Sequence, residues 1–349
     1  MTTGIILLNF GEPAAPERDR VVSYLERIFQ TTAAIEDHNG AEARERARTL
    51  AERRAQSLIE EYDAIEGSPL NHQSVEQATA LKAVLKDRGF DDVETYVGMQ
   101  YTEPFIEDAV AQARADEVDT VVGLPVYPLC GPSTTIAALQ ELTQTIDKRD
   151  WDVDIVNLTG WHRHPTYLRL RTDAIRTFLK EHELDLTENM TEFVYSAHGI
   201  PQHYLDERSR YVEYVDEWCE LSSSLLGIDA YTVGYQNHEN RGVAWTKPSI
   251  EEIVETVDAE RIVVEPISFM HEQSETLWEL DNEVCDIATD AGLDFYRVPI
   301  PHDDERFPSV LADLVEPTLA GFDPGLYHLR PCTCTDRLDA RCLNCPQRP

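Results

Sequence analysis

Short apolar runs recur along the chain, and between them apolar positions return every three or four residues. Runs of the first kind predict buried strands, and stretches of the second kind predict amphipathic helices. Residues 4–10 (GIILLNF) read as a strand that stops at Gly11-Glu12-Pro13, after which Val21, Val22, Leu25, Ile28 and Phe29 keep helical spacing. Residues 41–62 are helical in pattern and rich in arginine, and the breakers of 67–71 (GSPLN) close them off. A helix over 75–85, a strand over 93–98, a helix over 105–115 opened by Pro104 and a strand over 118–126 follow. In residues 127–135 (YPLCGPSTT) the Ser-Thr-Thr is expected to cap a helix from about 136. A second pass begins with a strand over 153–158, then a helix over 167–179, a strand over 192–196 and a helix over 207–226. It continues with a strand over 231–235, a helix over 249–257, a strand over 261–267 and an edge strand over 294–298. Strands separated by helices predict an α/β protein with two successive halves, each a parallel sheet with helices on both faces. The expected domains are 1–160 and 161–322, with a cysteine-rich tail over 323–349.

Between the last two strands, residues 269–289 (FMHEQSETLWELDNEVCDIAT) divide acid from grease. On a helix, Glu275, Glu279 and Glu283 form a narrow stripe, and Leu277, Leu280, Val284 and Ile287 form the apolar face. Like charges four apart cost a helix about 0.2–0.5 kcal/mol per pair. A path for a divalent cation would be one reason to keep them, and a solvated face of an acidic protein is the other reading.

Composition favours the acidic protein. Among 349 residues, Asp and Glu number 65 against 30 Lys and Arg, a net charge of −35. Nucleic acid and anionic membranes would repel such a surface. It suits a protein kept soluble in high salt, where self-repulsion is screened. No basic segment precedes the first strand and no apolar run reaches membrane-spanning length, so a cytoplasmic location is expected. Gly11 stands where a dinucleotide fingerprint would begin, but no further glycines follow. Cys219 and Cys285 fall in helical patterns and read as buried thiols.

Residues 193–201 (FVYSAHGIP) put His198 at the carboxyl end of a strand, held by a glycine and a proline. Working groups of α/β enzymes collect there, and a histidine can ligate metal or take a proton near neutral pH. The order of GIILLNFGEP, GSPLN, YVGMQYTEPFIEDA, LPVYP with STT, FVYSAHGIP, YQNHENRGVAWTKPS and ISFMHEQSETLWELDNE resembles the ferrochelatases. These insert ferrous iron into a porphyrin in haem synthesis. The resemblance runs from about residue 4 to 314 and rests most on SAHGIP followed by ETLWELDNE.

It implies two Rossmann-like domains with a porphyrin cleft between them, and Fe²⁺ and a porphyrin as substrates. His198 and Glu275 would be the catalytic, metal-handling pair, with Glu279 and Glu283 continuing outward from Glu275 as an iron or proton path. Tyr127, Tyr235, Gln236 and Trp245 would line the cleft. A chelatase for another tetrapyrrole or metal, or a carrier of haem or iron without turnover, is the alternative. The chain departs from the family in carrying Glu272-Gln273 where Asp-His is usual, which displaces His271, and in Cys130-Gly131 after Tyr-Pro. Residues 30–66, an apolar lip in membrane-bound relatives, here carry Arg and Glu, which argues against membrane docking.

In the tail, Cys332, Cys334, Cys342 and Cys345 have CxC and CxxC spacing, which in a reducing compartment points to metal rather than disulfides. Zinc and a [2Fe–2S] cluster both accept four thiolates. The resemblance favours the cluster, with Cys130 as a possible ligand in place of one tail cysteine.

Overall fold

The computed structural model describes residues 1–35, 41–186, 190–207, 209–237, 243–322, 329–332 and 338–343. The chain opens with β1 (Thr3–Asn9), buried at every position, as befits a strand covered on both faces. Helices α1 (Arg18–Ile35), α2 (Ala41–Ala64) and α3 (Leu70–Asp87) follow, then β2 (Val93–Met99), α4 (Ile106–Ala115) and β3 (Thr120–Pro125). A π-helical turn over Pro132–Ile136 leads into α5 (Ala137–Lys148), then β4 (Asp154–Thr159) and α6 (Pro165–Glu181). The expected Ser/Thr cap is not made: the Ser-Thr-Thr lies inside the π turn, and the residue before α5 makes no side-chain cap bond.

The second half runs β5 (Thr191–His198), α7 (Gln202–Asp206), α8 (Tyr211–Leu226), β6 (Thr232–Gln236), α9 (Ile250–Thr256) and β7 (Arg261–Pro266). Ser249 and Glu252 form a capping box at the start of α9. A π-helix over Glu275–Val284 passes into α10 (Cys285–Asp290), followed by β8 (Asp294–Arg297) and α11 (Phe307–Leu319). Two two-residue strands, β9 (Arg330–Pro331) and β10 (Arg341–Cys342), close the described chain.

There are two sheets, as the alternation predicts. The first has the order β2-β1-β3-β4-β10-β9 and is parallel except for the β10–β9 pair; the second has the order β6-β5-β7-β8 and is parallel throughout. The halves share one core, in which Trp161 packs edge-on against Tyr167 and beside Phe307, and Tyr167 lies near Trp218. Helix α11 packs on α3, with Arg88 reaching Asp313 at 2.6 Å and Glu316 at 2.8 Å. Cys219 is buried as expected, but Cys285, at the start of α10, is only half-buried. Among the described residues no helix is long and apolar enough to cross a membrane.

Candidate active site

Strand β5 ends at His198, whose backbone and ring are each held. Its backbone N–H donates to Ser268 Oγ at 2.8 Å, and Ser268 Oγ in turn meets Tyr211 Oη at 3.0 Å. Its Nδ1 meets Glu275 Oε2 at 2.8 Å. Gly199 cannot be replaced, because a Cβ there would meet Asn237 Oδ1 at 1.9 Å and Gln236 O at 2.6 Å. The side chains of His198 and Glu275 are 19% and 15% exposed, so the pair is sheltered yet reachable. Burial opposes the imidazolium, but the Glu275 charge and hydrogen bond more than offset it, and His198 titrates above its ordinary value of 6.5.

Glu275 opens the π-helix, whose backbone is held from the neighbouring strand. Gln236, in register with His198 across β5 and β6, donates from Nε2 to Glu275 O at 2.8 Å and to Glu279 Oε2 at 3.1 Å, while its Oε1 accepts from Ser196 Oγ at 3.0 Å. From Glu275 the carboxylates run outward through half-buried Glu279 to exposed Glu283. Burial, then the charge of Glu275, pushes Glu279 well above the carboxylate range. Arg297 grips Asp281 on the same helix at 2.6 and 2.7 Å and Glu272, just before it, at 3.0 Å. The segment between β7 and the π-helix is tied down by buried Arg171, which pairs with Glu265 and donates to Phe269 O at 2.9 Å.

The first half meets this segment with its own strand end. His271 is buried between the halves, its Nδ1 accepting from Asn9 Nδ2 at 3.2 Å and its Nε2 donating to Gln77 Oε1 at 2.7 Å. Burial, with the charge of His302 added, holds it down near 3, so it is a neutral link between halves. Glu12, 3% exposed, accepts from Ser274 N–H at 3.0 Å and from Ser274 Oγ at 2.5 Å. Tyr24, Tyr62 and Tyr127 surround the same region. Burial raises all three well above the phenol range, and the charges of Glu12 and Glu275 add to it for Tyr24 and Tyr127.

The other expected residues divide. Tyr127 is buried there, its hydroxyl without a hydrogen-bond partner among the described residues. Trp245 pairs with Pro201 beside the loop that follows His198. Tyr235 is turned by the pleat to the opposite face of β6, toward α8, where burial and then Asp216 raise it well above the phenol range in the same core as Trp218. Glu12 and Ser274 were not singled out by sequence, although both lie inside the quoted motifs.

At the far edge of the first sheet, β10 runs parallel to β4 with Cys342 opposite Thr159, and Thr159 Oγ1 donates to Cys130 Sγ at 3.2 Å. Cys332 N–H donates to Ala340 O at 2.7 Å across the β9–β10 pair. Cys334 and Cys345 lie outside the described residues, among which no group of three or more His, Cys, Asp or Glu is arranged to hold a metal ion.

A family model described as ferrochelatase matches residues 2–319. Ferrochelatase of Synechococcus sp. (strain RCC307) is 36% identical over 330 residues, 91% of this chain and 83% of that protein. Ferrochelatase of Thermosynechococcus vestitus (strain NIES-2133 / IAM M-273 / BP-1) is 34% identical over 330 residues, 91% of this chain and 82% of that protein. Among solved structures, SirB from Bacillus subtilis with Fe3+ has a TM-score of 0.54 at 11% identity and covers 93% of this chain and 99% of its own. CbiX, the terminal enzyme for biosynthesis of siroheme in denitrifying bacteria, has a TM-score of 0.50 at 13% identity, with 90% and 98% covered. Likeness at such identity bears on the fold alone.

Proposed function

Because this chain belongs to the ferrochelatase family, enzymes that insert metal into porphyrins, we propose that it inserts Fe²⁺ into protoporphyrin IX or coproporphyrin III with release of two protons. The observation that carries this reading is the 2.8 Å bond between His198 Nδ1 and Glu275 Oε2 where the strand ends of the two halves meet. Metalation must strip water from the ion and take two protons from pyrrole nitrogens. A neutral imidazole and a carboxylate suit both tasks, being basic enough to accept protons and weak enough as ligands to release the metal. Glu279 and Glu283 would pass iron inward or protons outward, supported by their graded exposure. Tyr127 and Trp245 would line the cleft, while Gln236 acts on the π-helix rather than on the substrate. Relatives at this identity are ferrochelatases, which disfavours the sirohydrochlorin alternative that the structural likenesses alone would leave open.

The test is anaerobic addition of Fe²⁺ with each porphyrin, following the porphyrin absorption bands, in high salt to screen the charge of −35. Multiple turnovers with one porphyrin are expected. Stoichiometric binding without turnover would leave a carrier instead.

A second reading concerns the tail: the adjacency of Cys130, Thr159 and Cys342 favours a metal centre of four thiolates in which Cys130 takes the place of one of the tail cysteines 332, 334, 342 and 345. A buried thiol one strand from the tail fits a thiolate-bound [2Fe–2S] cluster, which, when bound, can gain and lose one electron. Iron and acid-labile sulfide in equal amounts, both lowered in Cys130→Ser, are expected of anaerobically purified protein. Stoichiometric zinc without sulfide would sink the cluster.

A further inference from the structure

Glu12 is a buried acid that the metal-insertion chemistry, as derived above, does not use. It follows Gly11, whose φ of +81° and close approach to Thr102 Oγ1, 2.4 Å from an added Cβ, leave no room for a side chain. That turn aims Glu12 away from β1 and across to the other half. Its backbone N–H donates to Asn71 Oδ1 at 3.0 Å, and Asn71 Nδ2 donates to Thr102 Oγ1 at 2.9 Å, so its root is tied to the start of α3. Its carboxylate receives both donors of Ser274, the backbone N–H and the hydroxyl, across 262 residues of sequence.

Ser274 immediately precedes Glu275 and makes no side-chain cap bond to its own helix. The polar cap of the π-helix is thus supplied by the opposite half of the molecule. Placing a carboxylate there is costly: burial lifts it above the ordinary carboxylate range although Ser274 and Ser68 pull it back, and Glu275 repels it. A hydrophobic residue would fill the same space without that cost but would leave the Ser274 N–H and hydroxyl without this acceptor. The acid holds the residue one peptide bond from the carboxylate that faces His198.

We propose that Glu12 is a positioning residue for the reaction, bolting Ser274 from the opposite half so that Glu275 is presented to His198. The inference rests on the reading of Glu275 as catalytic. Displacement of a reacting group by about 1 Å can cost about 100-fold in rate, so loosening the bolt acts on kcat rather than on binding.

The experiment compares Glu12→Ala, Glu12→Gln, Ser274→Ala and the Glu12→Ala/Ser274→Ala double variant with wild type in the metalation assay. Hydrogen exchange of the peptide over residues 272–280 is measured beside it. For Glu12→Ala, kcat should fall by about 10- to 100-fold with the porphyrin KM within about twofold of wild type. Glu12→Gln, which keeps one acceptor, and Ser274→Ala, which keeps the N–H bond, should each lose roughly 3- to 10-fold. The double variant should be no slower than Glu12→Ala, because both changes cut the same link. Exchange over 272–280 should accelerate in Glu12→Ala while α11 keeps its protection, an effect that a general loss of stability would not confine.

Wild-type turnover beside an equally fast Glu12→Ala, additive losses in the double variant, or unchanged exchange would each overturn this inference and leave the chelatase reading intact. A wild type without turnover would remove the chelatase reading, and the inference with it.

Discussion

Two opposed forces set the behaviour of His198. Burial disfavours its charged form, whereas Glu275 at 2.8 Å favours it, and the net effect is a titration above 6.5. Metal capture and proton acceptance both need the neutral ring, so insertion at low Fe²⁺ should rise with pH through a value higher than that of a free histidine. The sign of the effect gives a second expectation: Glu275→Gln removes the raising influence and leaves burial, so the midpoint for metal capture should move down. A metal affinity measured against pH with the same midpoint in both proteins would contradict this. His198 and Glu275 were legible because each sits in a distinctive string, SAHGIP at a strand end and ETLWELDNE on a helix. Glu12 and Ser274 were not, since no local pattern marks a hydrogen bond between residues 262 apart. Tyr235 illustrates the opposite case. Its period-two relation to Gln236 already implied that only one of the two could face the π-helix, and the structure gives that face to Gln236.

At the scale of elements, the acidic helix departs most from its 3.6-residue reading. Residues 275–284 form a π-helix, so the buried face runs through Leu280, Val284 and Ala288, while Leu277 stays half-buried. The stripe of three glutamates survives because residues four apart still fall close to one line in the wider turn. Composition and spacing do not distinguish the two helix types; the π-helix is held by Gln236 and Arg297 from elsewhere and by Asn282 Nδ2 donating to Leu277 O within it. The crowding has a measurable cost at Glu279. In the unfolded chain it ionises near 4.5, but in the fold its pKa is pushed well above that, so it destabilises the protein increasingly as pH rises past 4.5. Glu279→Gln should therefore melt roughly 1–3 °C higher than wild type at pH 7.5, the difference vanishing near pH 4. A thermal scan in which the variant melts lower at pH 7.5 would count against the shared-charge account of this helix. The strands and most helices matched their apolar periodicity. Helix α11 was not anticipated, and β9 and β10, two residues each, are too short to carry any period.

On the scale of the whole molecule, order in sequence is not order in space. The chain reads as one α/β half after another, yet α11 returns to pack on α3, and the tail returns to widen the first sheet beyond β4. Asn9 and Glu12, near the start, bond to His271 and Ser274, near the end of the second half. These returns join the halves through one continuous core and a polar seam, and the seam is where His198 and Glu275 meet. His198 ends β5 and Glu275 follows the neighbouring strand β7, so the pair is fixed within the second half while Asn9 and Glu12 of the first half close on its flank. The direct test is the metal-insertion rate in His198→Ala and Glu275→Gln, with Glu283→Gln as the exposed control, under anaerobic Fe²⁺ and the preferred porphyrin. Removing either member of the pair should lower kcat by about 100-fold or more, and Glu283→Gln should stay within about tenfold of wild type. Wild-type rates in His198→Ala or Glu275→Gln, with porphyrin still bound, would contradict the assignment of the chemistry to this pair.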